Sequence, residues 1–225
     1  MSVRAVILLA GLGSRLGRPH PKPLTQLADG SSILERQLGV LRTLGLPVVG
    51  VVGFKMELIM EAAPDMLFAY NPNYDATNTA KSLLCALRQL QGEGVLWTNG
   101  DVVFAPEVLQ RLLDCGEAAV AVNNARVGDE EVKYTLNDAG YINRISKQVQ
   151  GARGEALGVN YVPADLVQPF CEKLAAVGDN DYFERAMELL IEERGNVFRA
   201  VDVTDSLCME IDFAADLERV NELLR

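Results

Sequence analysis

The sequence predicts an α/β fold, a mixed and mostly parallel sheet flanked by helices, with a small antiparallel β-hairpin inserted. Three observations carry this. Along the first half, short apolar runs without polar alternation are each followed by a helical pattern; unbroken runs mark strands buried on both faces, as in a parallel sheet between two helix layers. The first run, Arg4-Ala5-Val6-Ile7-Leu8-Leu9-Ala10, breaks directly into the turn Gly11-Leu12-Gly13. That is the opening of a Rossmann-like sheet, whose ligands bind beyond the carboxyl ends of the strands. In the second half, Asn137-Asp138-Ala139-Gly140 separates two short runs and reads as a hairpin turn.

Taken in order, residues 5–9 form the first strand. A helix follows over 32–44, with Ser31 or Ser32 as its cap, Glu35 in its first turn and Gly45 as its stop. Residues 47–52 make a second apolar strand, 55–62 a short helix and 66–70 a third strand. Helical periodicity covers 79–91, and the strand over 94–98 ends at Asn99-Gly100-Asp101. A helix over 106–113 and a strand over 118–122 complete the first half. Residues 131–136 and 141–147 are the hairpin arms, followed by a strand over 156–162, a helix over 180–193, a strand over 198–203 and a closing helix over 213–224. No repeat, low-complexity segment or Pro/Ser linker interrupts the chain. The expectation is one domain over 1–225, with an insertion at about 126–160.

The net charge is −10, with 49% hydrophobic and 23% charged residues. That composition is globular, and its acidity disfavours a nucleic-acid partner. The opening apolar run is too short to span a membrane and carries no signal-cleavage pattern. Cys85, Cys115, Cys171 and Cys208 form no CxxC pair, and with the single histidine, His20, they supply no ordinary zinc site. They read as reduced, buried thiols. The expectation is a cytoplasmic protein with neither nucleic acid nor membrane as partner; a homodimer stays open.

Charge is distributed unevenly. The first acid is Asp29, and Arg4, Arg15, Arg18 and Lys22 precede it. A positive stretch in an acidic protein marks a local anion site. Backbone amides of a glycine turn can converge on an anion because no Cβ blocks the approach. Arg15 and Lys22 favour a triphosphate there over the bland reading of solvated loop charge. A dinucleotide site would want a third glycine at position 16, where Leu16 stands, which disfavours an NAD(P) dehydrogenase.

Leu8-Leu9-Ala10-Gly11-Leu12-Gly13-Ser14-Arg15-Leu16 followed by Pro21-Lys22-Pro23-Leu24 resembles the nucleotidyltransferase superfamily, which includes sugar-phosphate nucleotidyltransferases and cytidylyltransferases. The short spacing from Arg15 to Lys22 resembles the cytidylyltransferase branch. Asn71-Pro72-x-Tyr74-x-x-Thr77-Asn78-Thr79-x-x-Ser82-Leu83, Glu130-Glu131-Val132-Lys133, Ile145-Ser146-Lys147, Gly154-Glu155-Ala156-Leu157-Gly158 and Met209-Glu210-Ile211-Asp212 resemble the phosphocholine, phosphonate and inositol-phosphate members. The resemblance covers nearly the whole chain and implies a nucleotide-diphospho-sugar transferase-like fold. It implies that CTP is condensed with a small phosphate- or phosphonate-bearing acceptor, releasing pyrophosphate. By the same resemblance, Leu9, Ala10, Gly11, Gly13 and Ser14 bind the nucleotide, with Ser82 near its base. Arg15 and Lys22 are the catalytic charges on the triphosphate, and Asp101 and Asp212 are ligands of Mg²⁺. Asn78, Lys133, Glu155 and Tyr182 lie near the acceptor, with Lys147 in the covering hairpin.

Each of these residues has an ordinary alternative. Asn99-Gly100-Asp101 is good turn chemistry, and Asp212 and Asn78 could be helix N-caps. Trp97 reads as core. Tyr182 and Phe183 read as core too, yet Asp181-Tyr182-Phe183-Glu184 combines acids with aromatic faces that could hold a trimethylammonium or primary amine. Two aspartates on different strand ends could hold one magnesium ion over a triphosphate. A sugar-1-phosphate nucleotidyltransferase using another triphosphate, and a non-catalytic nucleotide-sensing module, both stay open.

Overall fold

The computed structural model describes residues 2–12, 20–90, 92–125, 127–128 and 131–225. Strand β1 (Val3–Leu9) runs parallel to β2 (Val48–Val52) on one side and to β4 (Gly94–Asn99) on the other. Beyond β2 lies β3 (Leu67–Tyr70), also parallel. Beyond β4 the direction reverses. There β9 (Gly154–Val162) runs antiparallel between β4 and β6 (Ala119–Asn123), and β10 (Arg199–Asp202) lies parallel to β6 at the edge. The predicted hairpin is β7 (Lys133–Leu136) and β8 (Ile142–Ser146), and β7 pairs with the start of β9. Among the described residues these nine strands form one sheet.

Alternation along β1 divides the core in two, because successive side chains point to opposite faces. Val6, Leu8 and Ala10 pack with α3 (Thr79–Leu87), α5 (Ala164–Ala176) and α6 (Phe183–Arg194). Ala5, Ile7 and Leu9 pack with α1 (Ile33–Thr43), α2 (Met56–Ala62) and α4 (Pro106–Asp114). Covering both faces is what the unbroken apolar runs predict. Trp97 is fully buried as expected, its ring 5.3 Å from that of Phe170 and 5.7 Å, edge-on, from that of Phe183. Helix α1 starts where the sequence places it. The Ser32 hydroxyl accepts from the Glu35 amide at 3.2 Å, and the Glu35 carboxylate accepts from the Ser32 amide at 2.6 Å.

Three elements escape the sequence reading. Helix α5 contains Pro169, a residue that ordinarily ends a helix by removing one backbone donor. Its buried stripe of Val167, Phe170, Cys171 and Leu174 outweighs that loss. Strands β5 (Val102–Phe104) and β11 (Cys208–Glu210) are three residues each and form a separate antiparallel pair. The last helix, α7 (Ala214–Leu223), follows β11, and its Val220 packs with Leu27, Ile33, Val103 and Ile211. The helix expected over 79–91 ends at Leu87, and the one expected over 180–193 begins at Phe183. The four thiols are free, but only Cys171 and Cys208 are buried; Cys85 and Cys115 are half-buried, which corrects the expectation for those two. No described helix is long and apolar enough to cross a membrane.

Candidate functional site

At the carboxyl ends of β1 and β4 the surface opens into a cleft of about 410 Å³, a volume suited to a small ligand. Ala10 and Gly11 leave β1 at one wall, Asn99, Gly100 and Asp101 leave β4 at another, and the start of α3 and of α6 close the far side. Two of these features need glycine. A Cβ on Gly100 would lie 2.6 Å from the Leu8 carbonyl oxygen, and the Gly100 amide donates to that same oxygen at 3.0 Å. Gly158 on β9 has φ +67°, and a Cβ there would lie 2.7 Å from the Asn99 side chain. Glycine lets these backbones close on one another and fixes where Asp101 emerges.

Lys22 lies at the floor of the cleft, in a single 3-10 turn over Lys22–Leu24 that follows Pro21. Its ammonium donates to Asp101 Oδ2 at 2.7 Å and to Asp212 Oδ1 at 2.5 Å, partners 79 and 190 positions away along the chain. The short β5–β11 ladder makes this meeting unavoidable. It sets Glu210 opposite Val102, and the Ile211 amide donates to the Asp101 carbonyl at 3.0 Å. The start of α7 is served by Asp216, whose carboxylate accepts from the amides of Asp212 and Phe213 at 3.0 and 2.7 Å. The Asp212 side chain is thereby left to face Lys22 rather than to cap the helix.

The charges of this cluster act on one another. Burial alone would lower the Lys22 pKa, but Asp101 and Asp212 more than reverse that, and the net shift is upward. Glu210 is the third acid. Burial pushes its carboxyl well above the ordinary carboxylate range, and Asp101 and Asp212 push it further. One oxygen from each of Asp101, Glu210 and Asp212 can be chosen so that all lie within 4.8 Å of one another. The Asp101 Oδ1 atom is buried with no hydrogen-bond partner among the described residues. Three converging carboxylates, one oxygen of them unpartnered, suit a hard divalent cation. The sequence reading missed Glu210. The only signal was the run Met209-Glu210-Ile211-Asp212, which puts an acid two positions from Asp212; β11 is too short to show a strand period.

Of the residues singled out from sequence, Ala10, Gly11, Lys22, Asn78, Ser82, Asp101, Tyr182 and Asp212 all line the cleft. Asn78 also caps α3, its side chain accepting from the Thr79 amide at 2.8 Å, so the bland and the functional placements coexist. Ser82 is buried and accepts from the Asn71 side chain at 3.0 Å. The Leu9 side chain is in the core beneath α1, so what Leu9 offers the cleft is backbone. Lys133 and Glu155 face each other across the β7–β9 ladder. Ala156 and Gly158 line the cleft, so strand alternation turns Glu155 away from it, and neither Lys133 nor Glu155 is among the described residues that line it. Gly13, Ser14 and Arg15 lie outside the described residues.

Residues 5–195 match the sequence profile of the MobA-like NTP transferase domain. The chain belongs to the MobA-like NTP transferase family. A curated relative of this MobA-like chain, the CMP-5'-(3-aminopropyl)phosphonate synthase of Streptomyces rubellomurinus, is 32% identical over 95% of it. The match covers 37% of that relative's own length, so this chain spans little more than a third of it. Two solved structures share the fold over its full length. CTP:phosphocholine cytidylyltransferase from Streptococcus pneumoniae superposes with a TM-score of 0.79 at 19% identity, covering 100% of both chains. The inositol-1-phosphate CTP transferase of T. maritima also gives 0.79, at 18% identity, with 95% of that chain covered. The MobA-like chain thus has the mixed, mostly parallel sheet that its strand pattern predicts, in the nucleotide-diphospho-sugar transferase-like fold that the resemblance implies.

Proposed function

We propose that this MobA-like NTP transferase is a cytidylyltransferase, condensing CTP with a small phosphate- or phosphonate-bearing acceptor. The observation that carries the reading is the convergence of Lys22 with Asp101 and Asp212 at the mouth of the glycine turn, in an otherwise acidic protein. An acceptor oxygen attacks the α-phosphorus in line. The new bond is acceptor oxygen to α-phosphorus, the bond that breaks joins the α-phosphorus to the oxygen bridging to the β-phosphate, and pyrophosphate leaves with that electron pair. The chain supplies alignment and charge rather than a covalent intermediate.

Ala10 and Gly11 after β1 receive the phosphates, and Arg15, outside the described residues, is the second positive charge that the resemblance assigns to the triphosphate. Lys22 exchanges its aspartate partners for the α-phosphoryl oxygens, where negative charge is concentrated during transfer. Asn78, Tyr182 and Ser82 all line the cleft; the resemblance gives the first two to the acceptor and Ser82 to the base. Asp101, Asp212 and Glu210 would hold Mg²⁺, which when bound would offset phosphate charge and polarise the α-phosphorus.

The test is to incubate the chain with CTP, UTP, GTP or dTTP, each with phosphocholine, aminoalkylphosphonates, inositol phosphate or a sugar 1-phosphate, and to follow pyrophosphate. CTP with a non-sugar acceptor is expected to give the highest rate. Lys22→Ala is expected to lower turnover about 10²–10³-fold, the usual loss for one preorganised charge contact. Pyrophosphate only with a sugar 1-phosphate and another triphosphate, or near-full turnover by Lys22→Ala, would contradict the reading.

A further inference from the structure

Across the cleft from the lysine–aspartate cluster, the start of α6 presents a group that the phosphoryl chemistry does not use. Glu184 lines the cleft yet is only 7% exposed, and its Oε2 is buried with no hydrogen-bond partner among the described residues. An unpaired buried carboxylate is costly to keep, and glutamine or methionine would fill the same space without that penalty. Beside it, Tyr182 is 42% exposed, and the Lys147 ammonium lies over its ring, 5.4 Å from the centroid. That ring face already accepts a cation. No hydrogen bond joins Lys147 to Glu184 among the described residues, so Lys147 acts on that carboxylate only through its field.

We infer that Glu184 is the counter-ion for a primary ammonium on the acceptor, which docks between its carboxylate and the Tyr182 ring. The acceptor class is therefore an aminoalkyl phosphate or phosphonate. The inference rests on the cytidylyltransferase reading and adds the acceptor's second functional group to it. A primary ammonium suits the site better than a quaternary one. The unpartnered Oε2 needs an N–H donor, which trimethylammonium lacks. A quaternary head instead favours enclosure by several aromatic faces. Here the Phe183 ring is 2% exposed and packed edge-on against Trp97. Burial raises the Glu184 carboxyl to about 7, against the lowering effect of its own amide and of Lys147, so an arriving ammonium would be what ionises it.

The test uses the full chain with CTP and Mg²⁺, and compares kcat/KM for 2-aminoethylphosphonate, 3-aminopropylphosphonate, ethylphosphonate, phosphocholine and inositol 1-phosphate. The aminoalkylphosphonates are expected to exceed ethylphosphonate about 30-fold or more, as for loss of one partner of a buried charge pair, with the difference in KM. Glu184→Gln should collapse that ratio to about 5 or less. In the unaltered chain, ethylphosphonate or phosphocholine performing within about 5-fold of 2-aminoethylphosphonate would overturn this inference while leaving the cytidylyltransferase reading intact. A Glu184→Gln chain that keeps the full ratio would do the same. Pyrophosphate from none of the five acceptors would sink both.

Discussion

Lys22→Met is the most informative single change, because it removes the ammonium while nearly preserving the length of the side chain. Asp101 and Asp212, at present both held by Lys22, would then confront each other with oxygens within 4.8 Å. Two unit charges at that separation repel by about 3.5 kcal/mol at an effective dielectric of about 20. Removing the ammonium also removes its own burial penalty, the largest single influence on its charging. The expected net loss is therefore about 2–3 kcal/mol, at the lower end for breaking a buried pair. For a chain of this size each kcal/mol moves Tm by about 2–4 °C, so a fall of roughly 4–12 °C is expected in metal-free buffer. Excess Mn²⁺ should raise the variant's Tm by more than it raises that of the unaltered chain, where the cation must first displace the ammonium. Differential scanning fluorimetry with and without the metal reads both effects. A variant as stable as its parent without metal would refute the reasoning, as would a metal-induced rise no larger than the parent's.

Glu184 makes stability depend on pH. Its folded pKa of about 7 lies above the ordinary 4.5, so the folded chain binds more protons than the unfolded chain between those values. Its contribution is complete below about pH 4.5 and is lost as pH rises through about 7, by about 3 kcal/mol in all. Glu184→Gln should therefore gain on the parent between pH 5 and pH 8 in urea unfolding, and a difference that does not change across that range would be inconsistent with a buried titrating carboxyl. Gly100→Ala places a methyl 2.6 Å from the Leu8 carbonyl oxygen. It should cost about 1–3 kcal/mol and displace Asp101, lowering turnover at least tenfold; initial rates together with denaturant midpoints check this. Trp97→Ala empties space between Phe170 and Phe183, and a loss of about 3–5 kcal/mol is expected by calorimetry.

Much of the fold was legible because its signals are local. Apolar runs without alternation identified the strands of a sheet covered on both faces, the Ser32–Glu35 box started α1, and Asn137–Gly140 made the hairpin turn. Lys22 also stood out, as a basic residue in the acid-free start of an acidic chain, whereas short context alone read Asp101 as a turn residue and Asp212 as a helix cap, and it was the resemblance that singled both out. Local context could not say that the three meet. That depends on the pairing of Val102–Phe104 with Cys208–Glu210, two segments too short to show a period and separated by about half the chain. The same ladder recruits Glu210, whose carboxyl is set by burial and by its neighbours rather than by its own sequence surroundings. Helix α5 was hidden for a related reason, because what sustains it through Pro169 is a buried stripe contributed by the whole molecule. Strand alternation sets Glu155 on the face opposite Ala156, away from the described lining of the cleft near which the resemblance had put it. Composition and periodicity determine which segments are strands and helices and which side chains carry charge. Register and burial, which arise only when distant segments pack, decide which of those charges share a site.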